Sequence, residues 1–261
     1  MTSSDTPCLL AVERLGGGVA KLTLTDPTRR NAISMPMRDA IVATFEELES
    51  DPEVGAVVIT GEGSSFCAGA VLDDLATADS DSLRLIYDAF LRVASSPLPS
   101  VAAVNGPAVG AGLNLALSCD VRVCGMSARF ISGFTRIGLH PGGGNMWLLR
   151  RAVGHQLAVA MTVLGEQLGG EEAAARGLAL HCVADEDLLT RAVDLAAHAG
   201  RAPRLLVARI ADTFHQLEGA GSLLEAVELE LEAQAWSARQ GFFQDRLATT
   251  RAANSTRGGA P

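Results

Sequence analysis

Two stretches of the chain leave backbone unshielded where chemistry could use it. GEGSSFCAGAVLDDL at 61–75 and NGPAVGAGLNLALSCD at 105–120 each follow a short apolar run and are rich in Gly and Ala. Small side chains leave amide N–H groups bare, and a helix expected to begin at each loop adds the orphan amides of its first turn. Two such loops facing one another can hold an oxygen that gains negative charge, as when a carbonyl becomes an enolate or a tetrahedral oxyanion. Gly-rich turns between strand and helix also cradle phosphates, and they often only permit close packing. Neither loop carries GxxxxGK[ST], and GEGSSF lacks the GxGxxG spacing. That argues against nucleotide binding by those routes.

The elements that must position these loops are legible in the hydrophobic pattern. Apolar alternation at 9–12 and in VAKLTL at 19–24, separated by Gly16, Gly17 and Gly18, predicts a hairpin. Pro36 opens a helix to about Glu49 with apolar residues at Met37, Ile41, Ala43, Phe45 and Leu48, followed by a strand AVVIT at 56–60. A helix near 82–94, a strand at 101–104, a helix from Gly110 to about Ser118 and a strand at 121–124 continue the series. Strands alternating with helices predict right-handed crossovers in an α/β architecture, with ligands at the strand ends.

From Gly142 onward the pattern reads as helical, at 143–153, 155–164, 171–176, 186–199, 203–216 and 222–239, without strand alternation of useful length. Leu223, Leu224, Val227, Leu229 and Leu231 give one helix a broad apolar face, suited to a subunit interface or to packing within the chain. The last residues, AANSTRGGAP from 252, are small and polar, and disorder is expected there.

At 261 residues and 48% hydrophobic content the chain can bury a large core. A net charge of −9 without any Lys/Arg-rich stretch gives no nucleic-acid footprint and would be repelled by an anionic membrane surface. The start MTSSDTPCLLAVERLGGG has no basic segment leading into a long apolar one, and no stretch approaches the ~20 apolar residues of a membrane span. A cytoplasmic protein is expected. Cys8, Cys67, Cys119, Cys124 and Cys182 are odd in number and have no CxxC spacing, which fits buried inert thiols rather than disulfides or a zinc site; no metal is expected.

RRNAIS at 29–34, VVITGEGSSFCAGAVLDDL at 57–75, PSVAAVNGPAVGAGLNLALSCDVRV at 99–123 and ARFISGFTRIGLHPGGGNMWLLRRAVG at 128–154 together resemble the enoyl-CoA hydratase/isomerase, or crotonase, superfamily. The order of FCAGA, NGPAVGAG, CD and IGLHPGGG carries more weight than any one piece. The resemblance implies an α/β chain of the crotonase (ClpP/crotonase-like) fold. A spiral ββα core over 1–195 would carry the acyl-CoA site, and a helical oligomerisation region over 196–261 would build a homotrimer or a dimer of trimers. It implies an acyl-CoA thioester as ligand, in fatty-acid metabolism, with coenzyme A present only as part of that ligand and no tightly bound cofactor.

The family pattern assigns the two oxyanion donors to the backbone N–H groups of Ala70 and Ala111. It assigns CoA contacts to Arg29, Arg30, Asn31 and Ala32, and the surrounding loop positions to Ala68, Gly69, Val71 and Gly110. An arginine there can meet phosphate in a fork geometry. The chain departs from the family at the two catalytic carboxylates, whose positions hold Asn114 and Phe134; neither side chain can exchange a proton near neutral pH. His140, ahead of Pro141 and the Gly142–Gly144 run, and Tyr87, the only tyrosine, are candidates for a relocated acid or base. Asn114 could orient a water, bind a substrate oxygen, or simply pack. Three outcomes follow: a lyase or isomerase of this family, an acyl-CoA-binding protein with reduced turnover serving as carrier, sensor or scaffold, or another enolate or oxyanion reaction such as decarboxylation or thioester hydrolysis.

Overall fold

The computed structural model describes residues 9–76 and 79–257, so Cys8 and residues 258–261 lie outside the described residues. The chain divides into two compact units, Met1–Arg201 and Ala202–Pro261.

In the first unit β1 (Leu10–Leu15) and β2 (Val19–Leu24) form the expected antiparallel hairpin, pairing Leu10 with Leu24 and Leu15 with Val19. Helix α1 (Met35–Ser50) starts where Ser34 accepts a hydrogen bond from the Met37 N–H at 3.3 Å, with a proline in the first turn. Its buried face is Met37, Ile41, Phe45 and Leu48; Ala43, expected on that face, is exposed. Next come β3 (Ala56–Gly61), the short α2 (Leu72–Ala76), α3 (Ser80–Ala94), β4 (Ser100–Val104), β5 (Pro107–Val109), α4 (Ala111–Ser118), β6 (Val121–Gly125) and β7 (Arg129–Ile131). The unit ends with α5 (Asn145–Thr162), β8 (Gln167–Gly169), α6 (Gly170–Ala175), β9 (His181–Val183) and α7 (Leu188–Gly200).

Two sheets result. The larger has the order β1-β2-β3-β4-β6-β9, parallel from β2 onward, and the smaller has β5-β7-β8. Because side chains alternate along a strand, Val57 and Ile59 join Phe45, Phe90 and Leu113 in one cluster, while Ala56 and Val58 join Leu188, Ala192 and Ala196 of α7 in another. Helix α7 thus covers one face of the larger sheet, and α1, α3 and α4 cover the other. Strands buried on both faces read as continuous apolar runs, as β3 and β4 do.

Two expectations are corrected. Strands β8 and β9 lie in the stretch that reads as purely helical; each is three residues long and carries no usable alternation. The helices expected at 143–153 and 155–164 are the one element α5, kinked at Gly154 with φ 76° and ψ 172°. Helix α7, which spans the expected boundary at 195/196, packs on the sheet within the first unit.

The second unit holds α8 (Arg204–Leu217), α9 (Leu223–Ala238) and α10 (Gly241–Arg257). Helix α10 extends through the start of the tail where disorder is expected. None of the residues of α9 is buried, and Leu223 and Leu224 are 79% and 78% exposed. No helix among the described residues is long and apolar enough to cross a membrane.

Candidate functional site

Beyond β3 the first Gly/Ala-rich loop runs between two other segments. On one side Cys67 pairs with Ala108, the Cys67 N–H donating to Pro107 O at 3.1 Å and the Val109 N–H to Cys67 O at 3.0 Å. On the other side the Ala68 N–H donates to Arg30 O (3.0 Å), the Ile33 N–H to Gly69 O (2.7 Å) and the Val71 N–H to Ile33 O (3.2 Å). The Ala70 N–H takes part in neither ladder and has no acceptor among the described residues.

The second loop leads from β5 into α4. Gly110, at φ 53° and ψ −114°, is the residue before the helix, and Ala111 is its first residue. A first-turn amide has no partner within its own helix, and the Ala111 N–H finds none elsewhere among the described residues. Arg30 and Asn31 are the non-glycine residues at positive φ among those described, so Ala111 keeps an ordinary backbone and its methyl costs nothing there. The two loops meet closely. A Cβ on Gly112 would overlap the Cys67 carbonyl oxygen, and one on Gly69 would stand 3.8 Å from the Ala111 nitrogen. Gly69 is also at φ 108°, open to glycine alone at little cost.

Both free amides border one cavity of about 260 Å³. Its walls are apolar, from Leu72, Leu75, Leu83, Ile86, Phe90, Val109, Ile137 and Leu139. Tyr87, Asn114, Phe134 and His140 border it as well, so the structure brings together both expected donors, both positions where the family resemblance would put carboxylates, and both candidate acid/base residues. Ala68, Gly69 and Gly110 also line it; Arg29, Arg30, Asn31, Ala32 and Val71 do not.

The polar groups on this cavity differ in how far they are committed. The Tyr87 hydroxyl makes no hydrogen bond among the described residues, and its ring tilts against Phe90 at 5.7 Å between centroids. His140 is exposed, with Nδ1 2.7 Å from the Pro141 carbonyl oxygen. A carbonyl only accepts, so Nδ1 carries the proton and Nε2 is the free nitrogen. Asn114 is the opposite case. It is 1% exposed; its Nδ2 donates to Gly142 O at 3.0 Å and Gly143 O at 3.4 Å, and its Oδ1 accepts from Asn145 Nδ2 at 2.8 Å. Its amide hydrogens and one lone pair of its oxygen are thus committed within the protein. Phe134, whose Cζ lies 3.9 Å from where a Cβ on Gly110 would stand, presents a ring beside the second loop.

The expected CoA segment shows a similar division. The side chain of Asn31 is fully buried, accepting from the Asp26 N–H at 3.0 Å and donating to Glu62 O (2.9 Å) and Ser65 O (2.8 Å). It staples residues 26–31 to the first loop and offers no free atom to a ligand; Ala32 is buried too. Arg29 and Arg30 are exposed, and neither guanidinium is ion-paired among the described residues.

Burial pushes the thiols of Cys67, Cys119 and Cys124 up to about 12, so they are not nucleophiles at ordinary pH. His155, His181, His198 and His215 do not border the cavity, and the described residues hold no group of His, Cys, Asp or Glu placed to bind a metal ion. Asn145 and Ser132 were not read from the sequence. A polar amide in the middle of the mostly apolar, buried helix AGLNLALS is the signal that partners for Asn114 must exist.

Comparison with known proteins identifies the family and the fold. The profile of the family described as enoyl-CoA hydratase/isomerase matches residues 14–241. A probable enoyl-CoA hydratase of Mycobacterium tuberculosis, EchA14, is 46% identical over 251 residues, covering 93% of this chain and 96% of the relative. The 1,2-epoxyphenylacetyl-CoA isomerase of Escherichia coli is 32% identical over 236 residues, 87% of this chain and 90% of that one. The crystal structure of an enoyl-CoA hydratase from Mycobacterium smegmatis superposes with a TM-score of 0.87 at 28% identity, covering 94% and 96% of the two chains. With the two-sheet α/β core, its helical extension and loops that meet at two free amides, the chain belongs to the enoyl-CoA hydratase/isomerase family and has its crotonase fold.

Proposed function

We propose that the protein binds an acyl-CoA thioester with the thioester oxygen between the Ala70 and Ala111 amides, and uses them to stabilise an enolate or related oxyanion. The observation that carries this reading is the pair of uncommitted N–H groups on one apolar cavity, 3.8 Å separating the Ala111 nitrogen from the Cβ position of Gly69. Each preorganised donor of this kind contributes about 3 kcal/mol to an oxyanion transition state. The apolar walls suit a hydrophobic acyl group. Arg29 and Arg30, exposed and unpaired, suit the phosphates of CoA. Relatives named as a probable enoyl-CoA hydratase and as a 1,2-epoxyphenylacetyl-CoA isomerase support an acyl-CoA substrate class.

Water addition by two carboxylates finds no support, because Asn114 and Phe134 stand at those positions. Acid–base work falls instead to the Tyr87 hydroxyl and His140 Nε2, the free polar side-chain atoms on the cavity. The exposed leucines of α9 suit a homotrimer or a dimer of trimers. A second reading, an acyl-CoA-binding protein with little turnover, is favoured by one observation: the side chain at position 114 is engaged by the protein's own Gly142 carbonyl and Asn145.

Hydration of crotonyl-CoA and a longer enoyl-CoA, run beside calorimetric binding of the saturated acyl-CoA, separates these readings. Turnover that drops when His140 is changed to Ala supports catalysis with a relocated acid or base. Tight binding without turnover selects the second reading, and no binding of either ligand overturns both.

A further inference from the structure

The segment at 139–143 borders the cavity, yet it has no secondary structure of its own to hold it. What holds it is a chain of buried side chains. Ser132, fully buried, donates from Oγ to Asn145 Oδ1 at 3.1 Å; Asn145, 1% exposed, donates from Nδ2 to Asn114 Oδ1 at 2.8 Å; Asn114 then donates to Gly142 O and Gly143 O. The Asn145 backbone N–H adds a second bond to Gly142 O at 3.3 Å. An amide has two hydrogens to donate and an oxygen to accept with, and at Asn114 both hydrogens and one lone pair of the oxygen are committed to the protein.

The two glycines complete the fit. A Cβ on Gly142 would overlap the Tyr87 hydroxyl, and one on Gly143, at φ 61°, would overlap the Phe90 ring. The segment is thus pressed on α3 and tied to α4 and to the start of α5. His140 lies two residues before Gly142.

We propose that Asn114, backed by Asn145 and Ser132, is a positioning residue: it fixes the 139–143 segment so that the His140 imidazole stands at a set place beside the cavity. Its effect on ligand rests on the acyl-CoA reading above; its effect on His140 does not. The titratable side chains bordering the cavity are Tyr87 from α3 and His140 from the segment itself.

Asn114→Asp tests this. The change keeps the shape but turns a carboxylate toward two carbonyl oxygens, which raises its pKa. Ionised at about pH 8 it cannot donate; protonated as pH falls, it donates to Gly142 O again. Octanoyl-CoA affinity measured by calorimetry should fall about tenfold at the higher pH and return to within about twofold of the unaltered protein at about pH 5.5. The His140 ring resonances of the unliganded protein should move at the higher pH and return at the lower. Asn114→Asp protein that matches the unaltered protein in affinity and in His140 resonances at both pH values overturns the proposal. If the unaltered protein binds no acyl-CoA, the acyl-CoA reading fails, and the His140 resonances still decide this one. Should Asn114→Asp fail to fold, Ser132→Ala decides: an affinity loss of about threefold with shifted His140 resonances supports the chain of bonds, and unchanged resonances overturn it.

Discussion

Gly69 and Ala111 belong to loops 42 residues apart in sequence, yet a Cβ on Gly69 would stand 3.8 Å from the Ala111 amide nitrogen. The contact is possible because Gly69 has no side chain and takes φ 108°. Its carbonyl is meanwhile held by the Ile33 N–H, which in a trans peptide points the next amide, that of Ala70, away from the Ile33 segment.

Gly69→Ala should therefore be costly. An L-residue at this φ is strained, and the new methyl would lie 3.0 Å from the Val109 carbonyl oxygen. A loss of about 2 kcal/mol in unfolding free energy is expected, read from the urea midpoint at unchanged m-value.

Gly142→Ala should place a methyl on the Tyr87 hydroxyl and destabilise the protein by about 1–3 kcal/mol, the usual cost of overpacking. Tyr87→Phe removes the oxygen in the way. Combined with Gly142→Ala it should recover most of the loss in thermal unfolding, a coupling that independent effects would not give.

Arg29→Gln and Arg30→Gln should each weaken acyl-CoA binding about three- to tenfold at low salt and less at high salt, because exposed cations act through a screened field. An acyl-pantetheine lacking the nucleotide phosphates should bind all three proteins equally. Equal losses for both ligands would remove these arginines from the phosphate site.

The buried thiols give a pH dependence of stability. Cys67, Cys119 and Cys124 hold their protons to about 12 when folded, whereas an unfolded thiol ionises near 8.5. Between those values the native chain binds more protons, so stability falls as pH rises, from about 9 upward. One tyrosine and one lysine leave little else to titrate there. Urea midpoints at about pH 8 and pH 10 should differ in that direction, and replacing Cys119 by Ala should flatten the slope by about one proton.

Much of this layout was legible from residue type alone. The hairpin followed from VAKLTL beside three glycines, α1 from Pro36 and its apolar spacing, and the bare loops at strand ends from their place after β3 and β4, while their meeting was implied only by the family resemblance. The short strands β8 and β9 were not, since three residues cannot display a period of two. Asn31 read as a ligand contact and is a staple, because sequence does not say which carbonyls a buried amide will find. Asn114 raised the same difficulty. Its helix is apolar all round, which predicts burial, but its partners come from Asn145 and from two glycine carbonyls whose approach depends on the fold.

Ala111→Pro tests the central claim most directly, because proline is accommodated at the first position of a helix and replaces the N–H hydrogen by its ring Cδ. Gly110, at φ 53° and ψ −114°, has the extended backbone in mirror image that glycine can keep ahead of a proline. The measurement is the infrared carbonyl stretch of a thioester labelled with carbon-13 and bound as acyl-CoA. Bound to the unaltered protein, the stretch should fall well below its value in water, and Ala111→Pro should return much of that shift while binding persists. A bound carbonyl with the same frequency in both proteins would contradict the assignment of the Ala111 amide to the thioester oxygen.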